Sequence, residues 1–181
     1  MKSISALKLP LCLLAVIAFA SCESLDSKSK EPKYMITINE IVKYPRAKEI
    51  EKEIPTFAGR TVWININQFI HSSNIKEIEL IPCKNKPGFY DLKCRLDYHG
   101  KLVWMQLSVM YASSELAFVI DGVYYRSITP DKVTSHDDEF ITIKGPFDSV
   151  TANSLKENAK LNYKYFGGDE DDKGKTSTSF W

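Results

Sequence analysis

The spacing of apolar residues changes at Asp97, and this change constrains the fold of the 181-residue chain more than any other feature. Upstream of Asp97, apolar and polar residues alternate in segments such as 34–39 and 89–96, which is typical of half-buried β-strands. Downstream, the apolar residues of 98–112 recur every three or four positions, as on one side of a helix. The chain therefore combines strands with at least one amphipathic helix.

The helix predicted over residues 98–112 begins after Asp97, because an aspartate is a good N-cap. Gly100 weakens its first turn, since glycine is a poor helix former. Its predicted buried stripe consists of Tyr98, Leu102, Met105 and Val109, and is widened by Val103, Leu107, Met110 and Tyr111.

The rest of the chain supplies further strands and one more helix. Strands are predicted at residues 61–66, 75–81, 116–120 and 140–143, and a helix capped by Asp148 is predicted over about 149–164. Asp121-Gly122 predicts a tight turn, and Gly145-Pro146 predicts a break in the chain. Residues 50–54 fit either an edge strand or a helical turn. This order predicts an α+β fold, with one mostly antiparallel sheet and two helices packed on one of its faces.

The N-terminus has the features of a secretory signal. Two lysines precede an apolar run over residues 9–19, and Ala20-Ser21 then leads into Cys22. The run is too short to cross about 30 Å of hydrocarbon as a helix. The order Phe19-Ala20-Ser21-Cys22 resembles the lipobox of bacterial lipoproteins, in which the cysteine becomes the N-terminus and carries lipid. The alternative is an ordinary cleaved signal that ends near a cysteine.

These observations divide the chain into five segments. They are a lipoprotein signal peptide at 1–21, a flexible polar tether at 22–33, N-terminal strands at 34–74, the main α+β region at 75–166, and a disordered acidic tail at 167–181. The length suits one domain.

The charge of the chain is nearly balanced, which bears on its partners. The sequence has 24 basic and 23 acidic side chains. Two of the lysines lie in residues 1–21, so the chain that begins at Cys22 carries a net charge of −1. Such a balance argues against nucleic acid as a partner and against strong attraction to anionic lipid. Attachment to a membrane would therefore depend on lipid at Cys22.

Cys83 and Cys94 form a candidate disulfide, because an exported protein lies where disulfides form. If residues 86–89 form a tight hairpin turn, Cys83 lies opposite Leu92 and Cys94 is a diagonal neighbour about 7–8 Å away. That separation is slightly too long for an unstrained bridge, although a one-residue bulge would change it. The other interpretation is two half-buried free thiols in a sheet.

No catalytic, metal-binding or cofactor-binding motif is present in the sequence. His71, His99 and His136 lie in different local contexts, and neither the histidine nor the cysteine spacing matches a zinc site. The acidic residues 136–139 suit weak cation binding, but a solvated loop is the favoured interpretation. Asp121 is explained by its turn, and Trp63 and Trp104 are expected in the core or on a sheet face.

Several segments together resemble the head subdomain of the first periplasmic domain of SecD, the translocase accessory subunit. Residues 96–100 match a Leu-Thr-Pro-Glu-Gly helix start in the leucine, the capping residue and the glycine, and residues 119–122 match a Val-Leu-Asp-Gly strand end. The entry to the last helix is matched by Phe147, Asp148, Ala152 and Leu155. The resemblance covers about residues 75–165 and implies a SecD-head-like fold with polypeptide or protein partners. SecD also has transmembrane helices that drive transport, and none follows the signal here, so a motor function is not implied.

Together these features predict a non-enzymatic, lipid-anchored protein of the bacterial envelope. It faces the periplasm, holds the membrane through Cys22, and binds or scaffolds another envelope protein, with a link to protein export. Glu23 slightly favours the outer membrane, since Asp at that position would resemble an inner-membrane retention signal. The alternative is a small periplasmic hydrolase or ligand-binding lipoprotein, which requires a pocket between sheet and helices.

Overall fold

A computed structural model describes residues 31–132 and 140–167 of the chain. These residues form nine strands, two helices and one short 3-10 turn. The strands are β1 (Ile36–Glu40), β2 (Glu51–Pro55), β3 (Thr61–Asn65), β4 (Ile70–His71), β5 (Ile75–Pro82), β6 (Phe89–Leu96), β7 (Leu116–Ile120), β8 (Val123–Ile128) and β9 (Phe140–Asp148). The helices are α1 (Tyr98–Met110) and α2 (Ser149–Tyr165), and the 3-10 turn is Ser72–Asn74.

The first sheet has the strand order β4-β1-β7-β8 and is antiparallel throughout. Its centre joins two distant parts of the chain, because β1 pairs with β7 from Ile36 opposite Ile120 to Glu40 opposite Leu116. The two predicted segments, 34–74 and 75–166, therefore contribute strands to the same sheet and side chains to the same core. Asp121 and Gly122 form the predicted tight turn between β7 and β8, with φ of 49° and 80°.

Strand β7 is buried at all five positions, so both faces of the first sheet need a cover. The hairpin of β2 and β3 covers one face, where Ile54 and Ile64 pack against Ala117 and Val119. Residues 51–55 thus form a strand and not a helical turn. The described strands thus form three antiparallel sheets, not the single sheet that the sequence predicts, and the β2–β3 hairpin is separate because it packs across β7.

The second sheet has the order β5-β6-β9. The predicted break at Gly145-Pro146 is wrong, because β9 continues through both residues and bulges opposite Asp91. The Asp91 carboxylate accepts the Gly145 N–H at 2.6 Å. A Cβ atom at Gly145 would lie 2.2 Å from the Tyr90 carbonyl oxygen, so this close approach of two strands requires glycine.

Helix α1 begins at the predicted N-cap, where Asp97 Oδ1 accepts the Gly100 N–H at 2.6 Å. Its predicted buried stripe is wrong, since Tyr98 is 65% and Val109 79% exposed. Leu107 and Trp104 are buried as predicted, and the helix also buries Gly100 and Ser108. A Cβ atom at Gly100 would lie 2.9 Å from Asn74 Cβ, so the glycine marks the side on which α1 approaches the 3-10 turn.

Helix α2 follows β9 directly, and Asp148 caps it by accepting the Thr151 N–H at 2.9 Å. It buries Ala152, Leu155 and Ala159 in the same core as Trp104 and Leu107 of α1. That core also contains the inner faces of both larger sheets. The predicted α+β class, with antiparallel sheets and two helices, is confirmed.

Candidate functional site

A concave surface with a strong excess of positive charge lies between β5 and α2. We call it the basic groove, and its volume is about 570 Å³. It is lined by Lys76, Glu77 and Ile78 of β5, Arg95 of β6, and Lys156, Lys160, Tyr163 and Lys164 of α2.

The sequence of α2 builds one wall of the basic groove. Leu155 and Ala159 are buried against the sheet, whereas Lys156, Lys160 and Lys164 are exposed. These lysines are four residues apart, so they form one row along the helix. The burial of the apolar side of α2 therefore fixes the direction in which the row points.

The edge of the second sheet builds the other wall. Lys76 places its Nζ 5.8 Å from the centre of the Tyr163 ring, within the range of a cation–π contact. Arg95 Nη1 lies 3.7 Å from Glu77 Oε2 on the neighbouring strand. The lining thus has five cationic side chains and one carboxylate, which is already within salt-bridge distance of Arg95.

Helix stability alone does not account for this row of lysines. Lys164 lies in the last turn of α2, where a cation is favourable beside the negative end of the helix dipole. Lys156 and Lys160 are further from that end, and like charges four residues apart destabilise a helix by about 0.2–0.5 kcal/mol. A concave surface of this charge is suited to bind an anionic ligand.

The basic groove is not evident from the net charge of the chain, which is close to zero. A signal was present in the predicted final helix, whose lysines at 156, 160 and 164 share one face. A net charge near zero is compatible with a basic surface, since acidic residues elsewhere in the chain offset the charge of that surface.

Several predicted residues lie outside the described part of the chain. They are Cys22 with its lipobox, the acidic residues 136–139 including His136, and residues 168–181 of the tail. Lipid attachment at Cys22 and the proposed segment boundaries therefore stay predictions.

The structure does not bring Cys83 and Cys94 together, and both thiols are free. Cys94 lies opposite Ile78, whereas the Cys83 N–H bonds to the Phe89 carbonyl, so the loop spans residues 84–88 and is longer than predicted. The two cysteines are thus about 17 Å apart along the hairpin. Burial raises the pKa of Cys94 to about 12. The pKa of Cys83 is also raised, mainly by burial and secondly by the hydrogen bond to Asp91.

The remaining polar candidates have local structural roles. His71 Nδ1 accepts the Ser73 N–H at the start of the 3-10 turn, and burial lowers the pKa of His71. The Asp121 carboxylate accepts the N–H groups of Tyr34 and Met35 at 2.9 and 2.7 Å, so it holds the entry to β1. Within residues 31–132 and 140–167, no three His, Cys, Asp or Glu side chains are grouped as metal ligands.

At the centre of the shared core, the space between the layers is filled by side chains, and the concave surface between β5 and α2 lies outside this filled part. Trp104, Phe118, Phe147 and Leu155 are all at most 1% exposed. Phe118 and Phe147 meet edge to face, with their ring centres 5.2 Å apart. Val109, which the sequence places in this space, lies on the surface instead.

Comparison with known proteins gives a fold but no family. No family model matches the chain, and no curated protein matches it. Neither α1 nor α2 is long and apolar enough to cross a membrane, and the described residues contain no other α-helix.

Two solved structures of SecDF are similar to the chain. A crystal structure of SecDF in a super-membrane-facing form aligns with a TM-score of 0.50 and 9% identity, over 72% of this chain and 19% of SecDF. A second structure, of SecDF as a membrane component that enhances protein export, aligns with a TM-score of 0.46 and 9% identity, over 90% of this chain and 71% of the other. The chain thus spans about a fifth of the first SecDF chain, and its fold is SecD-like.

Proposed function

We propose that this chain is a non-enzymatic, lipid-anchored envelope protein whose SecD-like domain binds an acidic segment of another envelope protein in the basic groove. The observation that carries the proposal is the lining of this groove, with five cations against one carboxylate. A polypeptide is the proposed ligand because a groove open along a helix and a strand suits an extended chain.

Lipid on Cys22 is the proposed anchor, and the domain holds the other end of the tether. The Asn162 side-chain amide donates to the Lys33 carbonyl at 2.8 Å, and Asp121 binds the two residues that follow Lys33. The twelve residues from Cys22 to Lys33 span at most about 40 Å when extended. The proposed attachment therefore keeps the domain close to the periplasmic surface of a membrane, with the outer membrane slightly favoured.

A link to protein export is part of the proposal through the fold alone. SecDF is described as enhancing protein export, and the likeness at 9% identity concerns architecture. Co-purification of the chain with translocase subunits would support the link, and its consistent failure after crosslinking would count against it.

The anchor is tested by Cys22→Ala. We expect this variant to leave the membrane fraction, because it removes the atom that lipid would modify. Cys12→Ala is the matched control, since Cys12 lies in the apolar run of the signal. If Cys22→Ala stays with membranes as the wild type does, lipid at Cys22 is not the anchor.

The basic groove is tested with a zero-length carbodiimide crosslinker, which joins lysine amines to carboxylates in contact with them. We expect crosslinks from Lys156 or Lys160 to an acidic segment of one reproducible envelope protein. The variant Lys156→Glu/Lys160→Glu should reduce its recovery at least about tenfold, which corresponds to about 1.4 kcal/mol. The matched control is Lys48→Glu/Lys84→Glu, which reverses two exposed lysines outside the groove. Equal recovery of the protein by both variants would contradict the proposal.

A further inference from the structure

We infer that the chain's own acidic run, residues 169–172, occupies the basic groove when no partner is bound. The run consists of Asp169, Glu170, Asp171 and Asp172. A partner would then have to displace it, and in this respect the inference rests on the proposed function. Three properties of the acidic run match the groove: its charge, its position in the chain after α2, and the distance that it can span when extended.

The end of α2 lies next to one end of the lysine row. The Phe166 N–H bonds to the Asn162 carbonyl, and the Gly167 N–H bonds to the Lys164 carbonyl, both at 3.1 Å. Gly167 has a φ of +86°, the left-handed conformation with which many helices end and reverse direction. Gly167, the last described residue, is therefore within one turn of Lys164, at one end of the lysine row.

The acidic run has the length that the groove requires. Lys156 and Lys164 are eight residues apart, which is about 12 Å along the helix axis. Asp169 lies two residues beyond Gly167, and Asp172 lies five residues beyond it, within a reach of about 17 Å. An extended run can therefore follow the whole row of lysines from its near end.

The charges also match. The groove has an excess of four positive charges, from five cations and one carboxylate, and the run has four negative side chains. Each exposed ion pair contributes little on its own. The short connection to α2 compensates for this weakness, because it holds the run at an effective concentration in the millimolar range. Such an occupant blocks weak anionic ligands and yields to a partner that adds further contacts.

The inference is tested with the full chain and a labelled peptide of residues 167–181 as the probe. One variant neutralises the run with Asp169→Asn, Glu170→Gln, Asp171→Asn and Asp172→Asn. Fluorescence anisotropy at low salt should show that this variant binds the peptide about tenfold more tightly than the wild type, because its own tail no longer competes. A control with Glu49→Gln and Glu115→Gln, two exposed acids outside the groove, should bind the peptide as the wild type does.

The outcomes separate the two proposals. Equal peptide binding by wild type and neutralised variant would show that the tail does not occupy the groove, while the groove itself still takes acidic segments. If neither chain binds the peptide, the groove takes no acidic segment and the proposed function fails as well. If the difference persists when Lys156→Glu and Lys160→Glu are added to both chains, the tail acts at another surface and the inference is wrong.

Discussion

The two helices begin in the same way and contribute to the same core, but their outer sides differ. Asp97 caps α1 and Asp148 caps α2, each through a bond to the backbone N–H three residues later. The outer side of α1 includes two exposed apolar residues, Val109 at 79% and Met110 at 74%. The outer side of α2 is the lysine row of the basic groove.

The fold determines the composition of the inner sides of the two helices but not that of their outer sides. The inner sides of both helices are buried and apolar, since the core must exclude water. Packing in the core does not determine which residue types lie on either outer side. The basic side of α2 lines a concave surface, and this geometry is why the proposed binding surface is on α2 and not on α1.

The largest effect is expected from the inner sides. Trp104→Ala should destabilise the protein by about 3–5 kcal/mol and Leu155→Ala by about 2–5 kcal/mol, because each leaves a cavity in the shared core. The measurement is the free energy of unfolding in urea. Trp104→Phe keeps a ring in the same place and should recover part of the loss. A Trp104→Ala variant of wild-type stability would show that α1 does not contribute to the core as described.

A smaller effect is expected at the caps. Asp97→Ala and Asp148→Ala should each cost about 0.5–2 kcal/mol, with the larger loss at Asp148. Both carboxylates accept a second side chain, but the bond from the Tyr125 hydroxyl to Asp148 is 2.7 Å long, whereas the bond from the Asn74 amide to Asp97 is 3.3 Å long. The shorter bond is the reason for the larger loss at Asp148. Urea unfolding of the two variants and of Tyr125→Phe/Asp148→Ala measures this difference. Equal losses at the two caps would show that the Tyr125 bond adds nothing.

The two caps should respond to pH in opposite directions. Burial raises the pKa of Asp97 above its usual 3.8, and the hydrogen bonds from Gly100 and Asn74 oppose this only in part. At Asp148 burial also favours the neutral acid, but the bonds from Thr151 and Tyr125 outweigh it and the pKa is lowered. The contribution of Asp148 is therefore present above 3.8 and lost as the pH falls through its folded value. The contribution of Asp97 is complete below 3.8 and lost as the pH rises through its folded value.

Asparagine variants show this contrast because asparagine does not titrate. As the pH rises from about 3 to about 6, the stability lost by Asp148→Asn should grow, and the stability lost by Asp97→Asn should shrink. Urea midpoints across this range, compared with the wild type, give both slopes. Slopes of the same sign would contradict the difference in environment between the two caps.

The smallest effect is expected on the outer sides. Val109→Ser and Lys156→Ser should each change the free energy of unfolding by less than about 0.5 kcal/mol, because both side chains are exposed. Lys156→Ser should nevertheless weaken binding of the acidic peptide, whereas Val109→Ser should not. A large loss of stability in either variant would mean that this outer side is covered in the folded protein.

The sequence predicts the existence of the elements well and their packing less well. The caps at Asp97 and Asp148 are confirmed, since their side-chain bonds depend only on nearby residues. The spacing of apolar residues in α1 does not select one side, because the helix has apolar residues on both sides, and for this reason it wrongly predicts burial of Tyr98 and Val109. Gly100 is the residue that identifies the inner side, because only glycine is small enough for the close approach to Asn74.

The errors at the second sheet have a similar origin. Gly145-Pro146 is a breaker by local rules, but a neighbouring strand accommodates it through the Asp91 carboxylate. The register of Cys83 depends on a five-residue loop that local turn signals place incorrectly. The basic groove combines residues of β5, β6 and α2, and only its helical row could be found from spacing.

The position of β1 determines how the domain responds to mechanical load. Its entry is held by Asp121 and Asn162, and it lies between β4 and β7 in the first sheet. A pull on the chain at Lys33 acts along β1, whereas the hydrogen bonds to the neighbouring strands lie across it. These bonds must shear together and cannot unzip one after another. If lipid at Cys22 anchors the chain as we propose, a load from the membrane would reach the domain through this shear arrangement of β1.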